Sequence, residues 1–352
     1  MDEQRIKRIM SGEDQDLPAT SLRAITRLVE PIYHFATALR NKSFDLGCQK
    51  ATSLGRPTIS IGNITTGGTG KTPIVTALSK RLLDLGHKPA ILLRGYNATE
   101  EGSDEAQAYV AALGNRIPVM PNPSRIAGAK QVLTEHPQTT VFLLDDGFQH
   151  RAAARNLDIV LIDATNPFGY EHILPRGLLR EPLTSLSRAN AIIITRADQV
   201  STAQLESIDQ RIISITGSAS IAQAAHRWTH LLDQDNHPHN ISSLTNKRIV
   251  AAVGIGNPDA FKQTLLEWHP NLITFHALPD HHHFTTDELA AYFTNHNPID
   301  ALVVTEKDWV KIKPFLVDPR LQAKTILRPV LDVQFLKGEE QLMQLITKTL
   351  SI

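Results

Sequence analysis

Residues 57–73 read PTISIGNITTGGTGKTP, and this segment decides the fold of the first part of the chain. An apolar run, Pro57–Asn63, leads into a glycine-rich stretch, Thr65–Thr72, after which apolar residues recur at helical spacing. A strand, a glycine-rich turn and a helix in this order are typical of a phosphate-binding loop. The usual pattern is G-x-x-x-x-G-K-[ST], but Thr65 stands at the position of its first glycine.

The residue types in this loop suit a nucleotide. Glycines permit backbone conformations in which successive N–H groups point at phosphate oxygens, and a helix N-terminus adds its positive end. Lys71 can reach the β- and γ-phosphates, and Thr72 can offer its hydroxyl to Mg²⁺. The alternative is an ordinary glycine-rich turn. We predict that the nucleotide binds to Thr66, Gly67, Gly68, Thr69, Gly70, Lys71 and Thr72.

Apolar runs alternate with helical stretches as far as residue 221. The runs are Lys88–Gly95, Thr139–Asp146, Leu157–Asp163 and Asn190–Asp198. Continuous apolar runs are expected of strands buried on both faces, and their alternation with helices predicts a mostly parallel sheet with helices on both sides. The sequence therefore predicts an α/β fold for this part of the chain.

A second α/β pattern follows. We predict a larger domain over 1–221, linker strands at 222–232 and 326–336 that pair as a ribbon, a smaller domain over 240–325, and a C-terminal helix over 337–352. The chain has 352 residues, zero formal net charge and one cysteine, Cys48. This composition argues against a general nucleic-acid binder and excludes an intramolecular disulfide. We find no secretory signal and no apolar run long enough to span a membrane.

The segment from about 21 to 40 has apolar residues at helical spacing with arginines among them. Such a basic amphipathic helix can lie in a membrane interface. The alternative is a helix packed on the protein's own core, with Pro31 marking a kink or a new start.

Acidic and basic residues follow the predicted strands. Asp145 and Asp146 end an apolar run, as the acidic partner of a phosphate loop does when it holds Mg²⁺. The sequences TRAD (Thr195–Asp198) and TEKD (Thr305–Asp308) faintly resemble the base-reading N-K-x-D of GTPases, and the alternative for both is a strand-end turn. Arginines near strand ends suit an anionic substrate. For LPDHHHF (Leu278–Phe284), the alternatives are a metal site, a carboxylate–imidazole pair or a polar loop.

Together these motifs resemble the tetraacyldisaccharide 4'-kinases of lipid A synthesis. The motifs that match in order are GNITTGGTGKTP, LLRGY, SDEA, DDGFQH, LPRGLLREP, GIGNP, PDHHHF and VVTEKD. The resemblance implies two α/β/α domains, the larger one a P-loop NTPase-like domain, joined by a two-stranded linker. It also implies ATP and Mg²⁺ as cofactors. The γ-phosphate would go to the 4'-hydroxyl of an acylated glucosamine disaccharide 1-phosphate, which gives lipid IVA.

The resemblance also implies the roles of residues. Lys71, Thr72, Asp145 and Asp146 match the ATP and Mg²⁺ residues. Asp104 and His281 match the pair that helps to activate the 4'-hydroxyl, although SDEA departs from the family's usual G-D-E-P. The residues that match substrate or nucleotide contacts are Arg94, Tyr96, Arg125, Gln149, His150, Arg180 and Glu181. The expected location is peripheral, at the cytoplasmic face of the inner membrane, with no protein partner implied.

Two other functions fit a phosphate loop. One is a regulatory or assembly ATPase with the signature K-G-G-x-G-K-T, but Thr66 stands in place of its signature lysine. The other is a non-catalytic nucleotide-binding module. Such a module would need no acceptor-side residues, so Asp104, Arg125 and the histidine run count against it.

Overall fold

The computed structural model of the protein describes residues 3–95, 104–279, 282–295 and 298–351. In chain order, the described helices are α1 (Glu3–Ser11), α2 (Leu17–Asp45), α3 (Lys71–Asp84), α4 (Asp104–Leu113), α5 (Arg125–Glu135), α6 (Thr202–Thr216), α7 (Pro258–Leu266), α8 (Thr286–Thr294), α9 (Glu306–Ile312), α10 (Pro319–Gln322) and α11 (Glu339–Leu350). The strands are β1 (Thr58–Asn63), β2 (Pro89–Leu93), β3 (Val119–Pro121), β4 (Val141–Asp145), β5 (Leu157–Asp163), β6 (Ala191–Thr195), β7 (Ala222–Leu232), β8 (Pro238–His239), β9 (Arg248–Val253), β10 (Asn271–Ala277), β11 (Ala301–Val303) and β12 (Ile326–Lys337).

The chain divides into two compact units, and the first contains 1–95, 113–225 and 334–352. Its strands lie in the order β3–β2–β4–β1–β5–β6–β7, and each pair of neighbours is parallel. Every residue of β1, β2, β4 and β6 is buried, as the continuous apolar runs predict. The carboxyl ends of parallel strands share one edge, so the residues after β1, β4 and β6 face the same side of the unit.

The second unit contains 96–112 and 226–333. Its parallel strands lie in the order β10–β9–β11–β12. Along β9 the side chains alternate between two apolar clusters. Ile249 and Ala251 belong to one, whereas Val250 and Ala252 belong to the other. This sheet is therefore covered on both faces, and the prediction of an α/β fold with mostly parallel strands is confirmed.

Two long strands, β7 and β12, each have residues in both units and are neighbours in the strand order. Within the second unit, the Thr229 hydroxyl on β7 donates to the Val330 carbonyl on β12 at 3.3 Å. The predicted limits of the two domains, 1–221 and 240–325, stay predictions.

Helix α2 is longer than the predicted segment and continues through Pro31. It begins after Asp16, whose side chain accepts a hydrogen bond from the Ala19 N–H at 2.8 Å. The exposed fractions of Leu28, Ile32 and Phe35 are 78%, 70% and 69%. This face is therefore not packed on the protein's own described core. The alternative interpretation of the segment required such packing.

No described helix is both long enough and apolar enough to cross a bilayer.

Candidate functional site

The phosphate loop lies between β1 and α3, as its sequence predicts. Gly67 and Gly70 have φ of 108° and 81°, in the left-handed region that favours glycine. Thr65 instead forms an antiparallel bridge with Leu179, and its φ lies outside the left-handed region. No glycine is needed at this position, so the missing first glycine of the motif leaves the shape of the loop intact.

The loop runs beside the segment 178–180. The Thr66 N–H donates to the Leu178 carbonyl at 2.7 Å, and the Arg180 N–H donates to the Ile64 carbonyl, also at 2.7 Å. These backbone bonds bring the LPRGLLREP segment, which is distant in sequence, next to the loop. They also fix the backbone of Arg180 beside the phosphate site.

Lys71, the first residue of α3, points back across the loop. Its Nζ lies 3.3 Å from Asn63 Oδ1 and 3.4 Å from Asp146 Oδ1. Asn63 also donates its Nδ2 to the Thr65 carbonyl at 2.8 Å. Asn63 was not predicted as a site residue. The available signal was its place as the last residue of the strand before the loop.

Asp146 is held by two cations. It follows β4 with a φ of 52°, and its carboxylate accepts from one guanidinium nitrogen of Arg180 at 2.9 and 2.7 Å. Burial alone would raise the pKa of Asp146, but the charges and hydrogen bonds of Lys71 and Arg180 outweigh it and lower the pKa to about 2. Asp146 is therefore ionised throughout the physiological range.

The donor set for Mg²⁺ consists of oxygens. Asp145 is buried at the end of β4, Asp146 follows it, and Thr72 is the second residue of α3. Two carboxylates and a hydroxyl are the ligands that Mg²⁺ prefers. These residues fit the ion by their chemistry, and their roles as ligands stay a prediction.

Arg125 and Gln149 are joined to the same centre. Arg125 begins α5 and is 2% exposed, and its guanidinium donates to the Asp145 carbonyl at 3.2 Å. Gln149 donates its Nε2 to the Asn63 carbonyl at 2.9 Å. Both residues thus support the ends of β1 and β4.

His150 lies among positive charges. Burial is the largest cause that lowers its pKa, and Arg125, Arg155, Arg40 and Arg94 add to it, so that the pKa falls to about 4. The imidazole is therefore neutral at pH 7, with one nitrogen as donor and the other as acceptor.

Glu181 faces α2. It is 2% exposed, and its Oε2 accepts from Asn41 Nδ2 at 2.6 Å and from Arg188 at 2.9 Å. Arg40, one residue earlier on α2, donates to the Gln149 carbonyl. Residues predicted to hold substrate are therefore attached directly to the exposed amphipathic helix.

The remaining predicted site residues are Arg94, Tyr96, Asp104 and His281. Arg94 is exposed at the end of β2. Tyr96 and His281 lie outside the described residues, and Asp104 is described only as the first backbone position of α4. In the second unit, His282 Nε2 lies 2.9 Å from Glu288 Oε2.

TRAD and TEKD differ in what they contact. Thr305 caps α9, where its hydroxyl oxygen accepts from the Asp308 N–H at 3.1 Å, so TEKD contains a strand-end cap. Thr195 and Arg196 instead contact carbonyls of the phosphate loop.

Comparisons with known proteins give the family of the chain. A family model described as tetraacyldisaccharide-1-P 4'-kinase matches residues 22–351. The tetraacyldisaccharide 4'-kinase of Anaeromyxobacter sp. (strain Fw109-5) is 35% identical over 358 residues, which cover 96% of this chain and 95% of the relative. The tetraacyldisaccharide 4'-kinase of Syntrophus aciditrophicus (strain SB) is 35% identical over 310 residues, which cover 80% of this chain and 82% of the relative.

A solved structure points to the same family. The crystal structure of LpxK from Aquifex aeolicus in complex with ATP superimposes with a TM-score of 0.73 at 26% identity, and the match covers 94% of this chain and 99% of that one. The resemblance drawn from the motifs is confirmed: the chain belongs to the tetraacyldisaccharide-1-P 4'-kinase family.

Proposed function

We propose that the residues around the phosphate loop perform the family's reaction. As a member of the family, the chain is an ATP-dependent tetraacyldisaccharide 4'-kinase of lipid A biosynthesis, with ATP and Mg²⁺ as cofactors. It transfers the γ-phosphate to the 4'-hydroxyl of a tetraacyldisaccharide 1-phosphate. The observation that supports the roles of individual residues is the cluster of Lys71, Asp146 and Arg180 at one end of the phosphate loop.

Phosphoryl transfer depends mainly on positioning and on neutralisation of charge. We assign the β- and γ-phosphates to the loop N–H groups and Lys71, whose ammonium is already aimed by Asn63 and Asp146. Thr72, Asp145 and Asp146 would hold Mg²⁺, which would supply further positive charge. Arg180 balances the charge of Asp146 and orients its carboxylate.

On the acceptor side, the neutral imidazole of His150 suits a hydroxyl, because it can donate and accept at the same time. We assign activation or orientation of the 4'-hydroxyl to Asp104 and His281. His282 is engaged by Glu288, which favours its neighbour His281 for this role. We assign contacts with the disaccharide or the nucleotide to Arg94, Tyr96, Arg125, Gln149, His150, Arg180 and Glu181.

We also propose that α2 holds the protein at the cytoplasmic face of the inner membrane as a peripheral protein. Apolar side chains of α2 are exposed, while Asn41 and Arg40 attach the helix to substrate-side residues. A helix with an exposed apolar face and basic residues binds at a membrane interface. The acyl chains of the substrate would then stay in the bilayer while its sugar reaches the site.

A pocket of about 390 Å³ supports this placement. Its apolar lining includes Pro31 of α2 together with Ile173, Leu179 and Leu183. The pocket therefore lies between α2 and the segment that carries Arg180. We assign the lipid part of the substrate nearest to the sugar to this pocket.

The reaction is tested with labelled ATP, Mg²⁺ and the disaccharide 1-phosphate in detergent micelles. Labelled lipid is the expected product. ATP hydrolysis without labelled lipid would instead indicate a regulatory ATPase, and nucleotide binding without either product would indicate a binding module.

The membrane role is tested with Leu28→Asp/Ile32→Asp and sedimentation with phosphatidylglycerol vesicles. We expect the variant to lose vesicle binding and to keep ATP binding. Val317→Asp is the matched control, since Val317 is 80% exposed but lies in the second unit. Equal vesicle binding by the wild type and both variants would contradict the proposal.

A further inference from the structure

The end of β6 is bonded to the phosphate loop. The Thr195 hydroxyl donates to the Thr69 carbonyl at 2.9 Å, and the Arg196 guanidinium donates to the Gly68 carbonyl at 2.8 Å. Two successive carbonyls of the loop are therefore held by two successive side chains of another segment. Thr195 is fully buried and Arg196 is 8% exposed, so water competes little for these bonds.

Arg196 is itself held in place. It forms an ion pair with Asp163 at the end of β5, and both side chains are buried. Asp163 also accepts from the Thr165 N–H at 3.0 Å and from its hydroxyl at 2.7 Å. The backbone φ of Arg196 is 51°, an unusual conformation for a residue other than glycine. Such conformations persist where the surroundings determine them, and they concentrate at functional sites.

These bonds bear on the groups that bind phosphate. The C=O and N–H of a trans peptide point in opposite directions. Because Thr195 holds the Thr69 carbonyl, the N–H of Gly70 is turned to the side away from β6. Backbone N–H groups of such a loop bind the phosphate oxygens. The contact between β6 and the loop therefore fixes a donor of the phosphate site before the nucleotide arrives.

We propose that Thr195, Arg196 and Asp163 are positioning residues that hold the phosphate loop in its nucleotide-binding shape. The proposal rests on the proposed role of the loop as the site of the ATP phosphates. It differs from base reading, the role that the likeness of TRAD to N-K-x-D suggests, because the contacts are with loop carbonyls. It also differs from a purely structural ion pair, because Thr195 is uncharged and its hydroxyl still donates to a loop carbonyl.

The sharpest test is Thr195→Val, which removes the donor and nearly preserves the shape of the side chain. We expect ATP affinity, measured by equilibrium binding to the full chain, to fall on the order of tenfold, which corresponds to about 1.4 kcal/mol. The KM for ATP should rise with it, while the KM for the lipid stays unchanged. Thr195→Ser keeps the hydroxyl and should restore ATP affinity.

The matched control is Thr58→Val. Thr58 is a buried threonine of the same sheet, and its hydroxyl donates to the Arg56 carbonyl at 2.9 Å, away from the loop. Thr195→Val and Thr58→Val each remove one buried hydrogen bond, so they should lower the unfolding midpoint by similar amounts. Only Thr195→Val should also lower ATP affinity. The proposal would be overturned if Thr195→Val bound ATP as tightly as the wild type. It would also be overturned if Thr58→Val lost as much ATP affinity as Thr195→Val.

A second pair of variants separates the ion pair from the loop contact. Arg196→Met leaves the Asp163 carboxylate buried without its cation and should lower both stability and ATP affinity. Adding Asp163→Asn should recover stability but not ATP affinity, because the donor to Gly68 is still missing. Recovery of both would mean that the pair is only structural.

GTP binding distinguishes positioning from base reading. If Thr195 positions the loop, Thr195→Val should lower the affinities for ATP and for GTP by the same factor. If this segment reads the base, the ratio of the two affinities should change, and that result would overturn the proposal. If Lys71→Ala kept its turnover, the role of the loop itself would fail. If Lys71→Ala lost turnover but Thr195→Val behaved like the wild type, the role of the loop would stand. The positioning role of β6 alone would then fail.

Discussion

The ammonium of Lys71, at the start of α3, lies 3.4 Å from the carboxylate of Asp146, which directly follows β4. The pair brings together two motifs that are far apart in the sequence, the glycine-rich loop and DDGFQH. The parallel pairing of β1 with β4 closes this separation, because it brings the carboxyl ends of the two strands to one edge of the sheet.

The first prediction concerns Lys71→Ala. We propose that Lys71 compensates phosphate charge in the transition state, so its removal should lower turnover on the order of 10²-fold or more. The measurement is the initial rate of lipid phosphorylation at saturating ATP. Lys80→Ala is the control, since Lys80 lies on the same helix, α3, away from the loop. A Lys71→Ala rate close to that of the control would contradict the role of Lys71 in the site.

The second prediction concerns the dependence of stability on pH. The pKa of His150 is about 4 in the folded protein, below its ordinary value of 6.5. Between these two values the unfolded state binds more protons than the folded state, so the free energy of unfolding falls as the pH falls from 6.5 to 4. Above this window the histidine is neutral in both states and has no such effect.

The measurement for His150 is the unfolding midpoint in denaturant at several pH values. His150→Gln lacks the titrating group, so its midpoint should fall less steeply than that of the wild type between pH 6.5 and 4. Parallel curves for the two proteins would show that the pKa of His150 is not lowered in the folded state.

Much of the fold and part of the site follow from local sequence. Runs such as VFLLD predict buried strands because strands covered on both faces need apolar residues throughout. The loop was predictable because glycine, lysine and threonine at fixed spacing serve one chemistry. Pro31 was harder to interpret, since a proline often ends a helix, yet α2 continues through it.

The contacts that join distant segments were not predictable in the same way. Nothing local to Arg180 or Arg196 indicates that the first pairs with Asp146 and the second holds the loop. These contacts depend on strand order and on the register between strands, which a single sequence does not specify. TRAD was noticed for its likeness to a base-reading motif, but its observed contacts are with loop carbonyls.

The third prediction concerns the close approach of β1 to the segment after β4. A Cβ at Gly62 would lie 2.6 Å from the Cβ of Phe148 and 2.7 Å from its backbone nitrogen. Gly62→Ala should therefore destabilise the protein by about 3 kcal/mol, the upper end of the range for overpacking. Because Phe148 is part of DDGFQH, turnover should fall as well.

Gly86→Ala is the comparison for Gly62→Ala in denaturant unfolding. Gly86 has open space around its Cβ position but a φ of 84°. Its variant should therefore lose only about 1 kcal/mol, the cost of a left-handed conformation. If Gly86→Ala proved the more damaging of the two, close packing at Gly62 would not be the limiting feature.

The last prediction separates His281 from His282, two of the three adjacent histidines of PDHHHF. His282 Nε2 lies 2.9 Å from Glu288 Oε2, and Glu288 Oε1 accepts from the Tyr292 hydroxyl at 2.7 Å. The His282 ring also packs edge-on against Phe284, with 4.9 Å between the ring centroids. A ring held in this way stabilises the second unit, whereas His281 is expected to serve the reaction.

We therefore expect His282→Gln to lower the unfolding midpoint and to reduce turnover by less than about tenfold, because it removes a structural contact. His281→Gln should leave the midpoint unchanged and reduce turnover on the order of 10²-fold, the lower end for loss of an acid–base group. Glu288→Gln should reproduce the effect of His282→Gln, because it weakens the same pair. A larger loss of turnover in His282→Gln than in His281→Gln would reverse the assignment and place the acceptor-side role on His282.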